Sequence, residues 1–268
     1  MEVRLLGTGA ADGIPAFFAD DPVSRYARRY GGRDVRTRSA ALVDGHLKID
    51  FPPDTLHQLQ RDRLNPNDWT GLVFTHGHDD HFARRELQYA LFPFTDHLHM
   101  PYVIYGNDNI VRQLAEAYPD WPMEVHQTFS FCPFEHVGYT ITPIRARHKE
   151  DEDSQNLIIQ RNGQTFLYAT DTGVWPHETF EFLSQFTIDL LVIECTDGIR
   201  KSDYLGHLDI EACVGVVQAL RESGVLHDGS RVVTTHHAAR GGARHADLER
   251  HLLPHQIEPG YDGMVLRV

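Results

Sequence analysis

The chain has 268 residues, 41% hydrophobic and 24% charged, which is ordinary globular usage and excludes a disordered or fibrous class. With 25 Lys and Arg against 38 Asp and Glu, the net charge is −13, a poor match to nucleic acid, whose binding rests on cations neutralising phosphates. Three dispersed cysteines (Cys132, Cys195, Cys213) have no C-x-x-C pairing; they exclude a disulfide framework and a thiolate zinc site and are expected to be small buried apolar residues.

No apolar run approaches the ~18 residues of a membrane span. The start, Met1-Glu2-Val3-Arg4-Leu5-Leu6, has neither the basic nor the apolar part of a secretion signal, so a cytoplasmic location is expected. In chain order, apolar β-rich runs predict strands at Val3 to Gly7, Ala40 to Val43 and Leu47 to Phe51, then a helix over Asp54 to Arg61 and a strand at Leu72 to Thr75. A helix over Ala83 to Leu91, a strand at Tyr102 to Tyr105, a helix over Asn109 to Ala117 and strands at Tyr139 to Arg147, Asn156 to Gln160 and Thr165 to Ala169 follow. The rest reads as helix Pro176 to Gln185, strand Ile188 to Ile193, helix Asp209 to Glu222, strand Val232 to Thr235, helix His245 to Leu252 and strand Gly263 to Arg267. Asp44-Gly45 and Asn162-Gly163 tolerate positive φ and predict two antiparallel hairpins. Such interleaving points to an α/β chain, one domain over 1–268, built as a four-layer αββα sandwich.

The segment Thr75-His76-Gly77-His78-Asp79-Asp80-His81 follows the apolar strand Leu72-Val73-Phe74. His76 and His78 can aim at one cation, Asp80 and His81 at a second. Imidazole mixed with carboxylate suits zinc, manganese or iron. Further donors end other strands: His148, Asp171 in Ala169-Thr170-Asp171-Thr172-Gly173, and His236-His237 after Val232-Val233-Thr234-Thr235. Several of the 18 histidines, among them His97, His99, His251 and His255, lie in polar stretches and read as surface residues.

With its T-H-x-H-x-D-H signature matched in full at Thr75 to His81, the chain resembles the metallo-β-lactamase superfamily. Gly7-Thr8-Gly9-Ala10-Ala11-Asp12-Gly13-Ile14-Pro15, Ile49-Asp50-Phe51 and Gly206-His207-Leu208 make it similar to the branch holding the phosphonate-pathway cyclic phosphodiesterase (PhnP-like) and, more distantly, tRNase Z. The resemblance implies two divalent metal ions per chain. One would be held by His76, His78 and His148, the other by Asp80, His81 and His236, with Asp171 bridging. His236 is preferred to His237 because the family's terminal ligand directly follows the strand and its threonine. Asp50 either orients a ligating imidazole through its other ring nitrogen or caps the strand end. The C-x-C-x-x-C zinc cluster of many relatives is replaced by Ala19, Asp21 and Ser24, so that third zinc is expected to be absent.

The chemistry these residues suit is hydrolysis of a small, possibly cyclic, phosphodiester by metal-bound hydroxide, with His207 as general acid and Asp80 beside it in the catalytic set. The alternatives are a carboxylic-ester or lactone hydrolase, which would not need His207, a tRNA 3′-processing endonuclease, and a non-catalytic metal-binding protein. A small-molecule substrate is expected; nucleic acid and membrane are not, and a homodimer is kept open. Gly7-Thr8-Gly9 reads as a turn beside the metals rather than a phosphate cradle. Arg36, Arg38, Arg84, Arg85, Arg145 and Arg147 read as solvated charges before phosphate clamps. Phe17, Phe18, Phe92, Phe94 and Trp175 read as core before pocket wall.

Overall fold

The computed structural model describes residues 1–95, 103–120, 122 and 124–268. In chain order it runs β1 (Glu2–Gly7), α1 (Pro22–Tyr30), β2 (Ala40–Val43), β3 (Leu47–Ile49), α2 (Thr55–Asp62), β4 (Gly71–Val73), β5 (Val103–Gly106), α3 (Asp108–Ala117), β6 (Glu124–Gln127) and β7 (Phe134–His136). Then come β8 (Tyr139–Arg145), β9 (Gln155–Arg161), β10 (Gln164–Ala169), α4 (His177–Leu183), β11 (Ile188–Glu194), α5 (Ile210–Glu222), β12 (Leu226–Thr235), α6 (His245–Leu252), β13 (Glu258–Pro259) and β14 (Val265–Arg267).

Two seven-stranded sheets result, in the orders β14-β1-β2-β3-β4-β5-β6 and β13-β12-β11-β10-β9-β8-β7. From β14 the first sheet makes three antiparallel pairings and then three parallel ones. From β7 the second sheet repeats that pattern. The period-2 alternation of strands sorts their side chains into layers. Leu157, Ile159, Phe166 and Tyr168 face Val3, Val43, Ile49 and Val73 between the sheets. Ile158, Leu167, Leu191 and Ile193 point outward onto Cys213, Val217 and Leu220 of α5 and Leu248 of α6. On the other outer face Leu42, Leu72 and Ile104 meet Ile110 and Leu114 of α3. Three apolar seams between four layers make the αββα sandwich expected from the sequence. Both Asx-Gly turns close antiparallel hairpins, with Asp44 and Gly45 at φ 49° and 77° and Asn162 and Gly163 at 53° and 77°. Among the described residues no helix is long and apolar enough to cross a membrane.

The structure corrects several expectations. Helix α1 was not expected, although Asp21 accepts the Ser24 amide at 2.9 Å and Pro22 takes the first turn, an N-terminal signature that the sequence does contain. Ser24 Oγ in turn accepts the Ala16 amide at 3.1 Å, so Asp21 and Ser24 together tie this loop down by hydrogen bonds. Strands β6, β7 and β13 are short, and all three form sheet edges with little apolar periodicity to betray them. The helix expected over Ala83 to Leu91 is a 3-10 run, Arg84–Ala90, and β12 starts at Leu226 rather than Val232.

Side-chain placements change as well. Cys132 is exposed, whereas Cys195 and Cys213 are buried. Arg36 is buried rather than solvated, its guanidinium donating to Thr8 Oγ1 and Gly260 O, both at 2.7 Å, and lying 3.0 Å from His245 Nδ1. Phe17, Phe18, Phe92 and Phe94 are exposed rather than core, whereas Trp175 is buried and donates to Asn156 Oδ1 at 2.7 Å. Arg38 pairs with Asp54 at 3.0 Å and Arg145 with Glu178 at 3.3 Å. His251 and His255 are exposed as expected; His97, His99 and Tyr102 lie outside the described residues.

The direction of the strands places the candidate site. Strands β3 and β4 are parallel in one sheet, β10, β11 and β12 in the other, and β1 and β8 share those directions through two antiparallel steps each. Their carboxyl ends open into loops at one edge of the sandwich, where crevices between parallel strands leave room for ligands.

Candidate metal centre

The H-x-H loop leaves β4 through Phe74 and Thr75 and is fixed by a carboxylate from another part of the chain. Glu152, whose side chain is fully buried, accepts the Gly77 amide at 3.1 Å and the side-chain amides of Asn107 and Asn109 at 3.0 and 2.9 Å. Burial would raise the Glu152 carboxyl, but these donors hold it below the usual range. A Cβ at position 77 would come within 2.3 Å of Asn109 Nδ2, so any larger residue would displace the Asn109 amide from Glu152.

Seven of the residues picked out from sequence converge: His76, His78, Asp80 and His81 behind β4, His148 behind β8, Asp171 behind β10 and His236 behind β12. His76 Nε2 and His148 Nε2 each lie 3.1 Å from His78 Nδ1. His81 Nε2 stands 2.9 Å from Asp171 Oδ2 and 3.2 Å from Asp80 Oδ2. His236 Nε2 is 3.2 Å from Asp171 Oδ2 and 3.5 Å from Asp80 Oδ2. His207 reaches the same cluster, with Nδ1 3.8 Å from Asp171 Oδ1. His237 turns away: its amide donates to Thr8 O at 2.9 Å and its Nε2 lies 3.3 Å from Thr234 Oγ1. The same contact sets the Gly7-Thr8-Gly9 turn beside the centre.

Outer hydrogen bonds fix which ring nitrogen faces inward. Asp50 Oδ2 accepts His81 Nδ1–H at 2.7 Å. The Thr75 hydroxyl donates to Asp50 at 3.0 Å, which leaves its oxygen to accept His76 Nδ1–H at 3.1 Å. A second carboxylate repeats this on the other sheet. Glu194 Oε2 accepts the Thr196 hydroxyl, and that oxygen lies 2.9 Å from His236 Nδ1. His148 Nδ1–H donates to Gly206 O at 3.1 Å. Asp50 therefore orients imidazoles and does not merely cap its strand. The inward Nε2 atoms of His81 and His236 are buried and have no hydrogen bond of proper geometry despite nearby carboxylates. Lone pairs and carboxylate oxygens facing a common point are the donor arrangement that a divalent cation completes.

The carboxylates draw positive charge into the cluster, and without a cation His81 carries it as a proton. Burial holds His76 well below the ordinary histidine value, keeping its lone pair free. Burial would do the same to His81, but the carboxylates of Asp80, Asp171 and Asp50 raise it well above that value. Asp171, whose burial would raise it, is held well below the carboxylate range by His236, His81 and His148. Asp50, Asp171 and His236 all adopt left-handed backbone, with φ of 56°, 47° and 56°, a costly conformation for non-glycine residues that clusters at functional sites. These residues could hold metal ions.

Glu194 has no counterpart among the residues expected from sequence. Fully buried, it accepts the amides of Thr172 and Gly173 at 2.7 and 2.9 Å on one oxygen and stands 3.1 Å from His207 Nδ1 on the other. Burial would lower His207, but Glu194, then Asp171 and Asp197, push it up to about 9. His207 lies two residues before the Asp209 cap of α5. Beside His148 a cleft of about 870 Å³ opens, bordered by Arg147, Lys149, Tyr204 and Leu205, with Glu150 and Asp203 among its acids.

The sequence profile described as the beta-lactamase superfamily domain matches residues 43–237. Among solved structures, a diphosphatase of the PhnP family is similar at 22% identity and a TM-score of 0.78, over 99% of this chain and 97% of that one. PqqB from Methylobacterium extorquens, in a zinc-bound form, matches at 16% identity and 0.75 over the whole of both chains. Human tRNase Z, short form, matches at 20% and 0.65 over 100% of this chain and 99% of the other. No curated protein matches by sequence. The chain belongs to the beta-lactamase superfamily.

Proposed function

We propose that this beta-lactamase superfamily member is a metal-dependent hydrolase of small phosphodiesters. His76, His78 and His148 would hold one divalent cation, Asp80, His81 and His236 a second, and Asp171 would bridge them. Bound there, the pair would lower the pKa of a shared water and stabilise charge on the attacking and leaving oxygens. The chain's own residues supply the rest. Asp50 and Glu194 keep the imidazoles turned inward. His207, raised to about 9, carries a proton at neutral pH. With Nδ1 engaged by Glu194, it can give the Nε2 proton to the departing alkoxide.

The observation that carries the phosphodiester reading is the Glu194–His207 pair, because a proton donor held beside the donor cluster suits a poor alkoxide leaving group. The cleft of about 870 Å³ beside His148 is of small-molecule size, and a protein of similar fold is described as a diphosphatase. The test is metal analysis coupled to turnover of bis-p-nitrophenyl phosphate, cyclic nucleotides, cyclic ribose phosphates, lactones and a tRNA precursor. Phosphodiesters should lead; lactones outpacing all of them would overturn the reading.

A further inference from the structure

Three residues beyond His236 the chain makes a 3-10 turn, Ala239–Gly241, that is clamped onto the segment following Glu194. Ala238 N donates to Thr196 O at 3.3 Å and Ile199 N to Gly241 O at 3.0 Å. A Cβ on Gly241 would meet Thr196 O at 2.8 Å, and one on Gly198 would meet Gly241 O at 2.7 Å, so both glycines are needed for so close a fit. The clamp fixes Arg240 over Asp197, with Nη2 to Oδ1 at 3.3 Å. Asp197 is 4% exposed, whereas the Arg240 side chain is 62% exposed. A guanidinium has five N–H donors, and this ion pair engages one nitrogen. Asp197 in turn donates its amide to Leu208 O at 3.0 Å, the residue after His207, so the ion pair is anchored beside the proposed proton donor. The Tyr204 ring lies 5.4 Å from that of the same donor, His207.

We propose that Arg240 is the substrate-anion clamp of this centre, donating to a non-bridging phosphoryl oxygen and so selecting anionic phosphodiesters over neutral esters. The assignment rests on the phosphodiester reading above. Asp197 is the tether that keeps the fork aimed, and an arginine is suited to this because its planar donors match phosphate geometry. Since the substrate's charge is present before reaction, the clamp acts mainly on binding and so on KM.

The experiment compares wild type, Arg240→Ala and Arg240→Lys as metal-loaded protein, with metal content and melting temperature confirming intact centres. Arg240→Ala should lower kcat/KM for bis-p-nitrophenyl phosphate about 10- to 100-fold through KM. Turnover of p-nitrophenyl acetate should change less than about threefold, and Arg240→Lys should recover part of the loss. Inorganic phosphate binding, measured by calorimetry, should weaken at least about tenfold in Arg240→Ala. Equal losses on charged and neutral substrates, or no loss on either, overturn the clamp. A wild type inert toward phosphodiesters overturns the functional reading instead, and Arg240 is then judged by phosphate binding alone, where an unchanged Kd sinks it.

Discussion

Glu194 Oε2 stands 3.1 Å from His207 Nδ1 and, through the Thr196 hydroxyl, also governs His236 Nδ1 at 2.9 Å from that hydroxyl. One buried carboxylate thus holds the proposed proton donor and a proposed ligand. Because the carboxylate raises His207 to about 9, kcat/KM for a phosphodiester should fall as pH rises through about 9, where the donor loses its proton. Glu194→Gln removes the anionic partner and should move that limb downward, toward the ordinary histidine value. His207→Ala should cost about 10²- to 10⁴-fold in kcat with metal retained. A pH profile identical in Glu194→Gln and wild type would refute the coupling.

Metal content separates the two neighbouring histidines. His236 faces Asp80 and Asp171, whereas His237 faces Thr234 and the Thr8 carbonyl. His236→Ala and Asp80→Ala should each lower bound metal by about one equivalent after dialysis against a weak chelator, and His237→Ala should not. Elemental analysis of the three variants decides it; equal retention in all would discard the ligand assignment.

Asp50 touches no proposed cation yet orients His81 directly and His76 through Thr75. Asp50→Ala should weaken metal affinity about 10- to 100-fold. It should also cost about 1–3 kcal/mol of stability, because the buried Thr75 amide and His81 Nδ1–H lose their acceptor. Chelator competition and urea titration measure the two effects separately. Full metal affinity in the variant would leave Asp50 a purely structural acid.

Lys48 is fully buried, its ammonium donating to Ile49 O at 3.1 Å and to Asp50 O, 5.9 Å from the Trp69 ring centre. Burial lowers it from 10.5 to about 7, against the pull of Asp50. Between those two values the unfolded chain keeps a proton that the folded chain has shed, so this group makes stability rise with pH. Below about 7 both states are protonated and the burial penalty is felt in full. Lys48→Met should therefore stabilise the protein most at pH 7, by about 2 kcal/mol, with the gain shrinking toward pH 10. Urea midpoints that shift by the same amount at both pH values would contradict this.

The donor set was legible because most of it is local. T-H-x-H-x-D-H concentrates four candidate donors in six residues, and His148, Asp171 and His236 follow apolar strands, so the family resemblance could join them into one set. The orienting acids were less visible. Asp50 stood out through its strand end, but Glu152 was hidden in the run Lys149 to Asp153, where four acids look like a solvated surface. Glu194 closes the apolar strand Ile188 to Ile193, and a lone carboxylate ending so buried a run is a signal that could have been read. Arg36 was misread for the opposite reason: its partners, Thr8, Gly260 and His245, are dispersed along the chain. Helix α1 is nine residues long and carries three arginines, so little apolar periodicity marks it beyond the Asp21-Pro22 cap.

The converging side chains span positions 76 to 236, split between two sheets of matching pairing pattern. During biosynthesis the first four donors emerge long before their partners, and no complete set exists until His236 has left the ribosome and the second sheet has docked on the first. The complete cluster is therefore a property of the assembled sandwich, and neither sheet alone can present it.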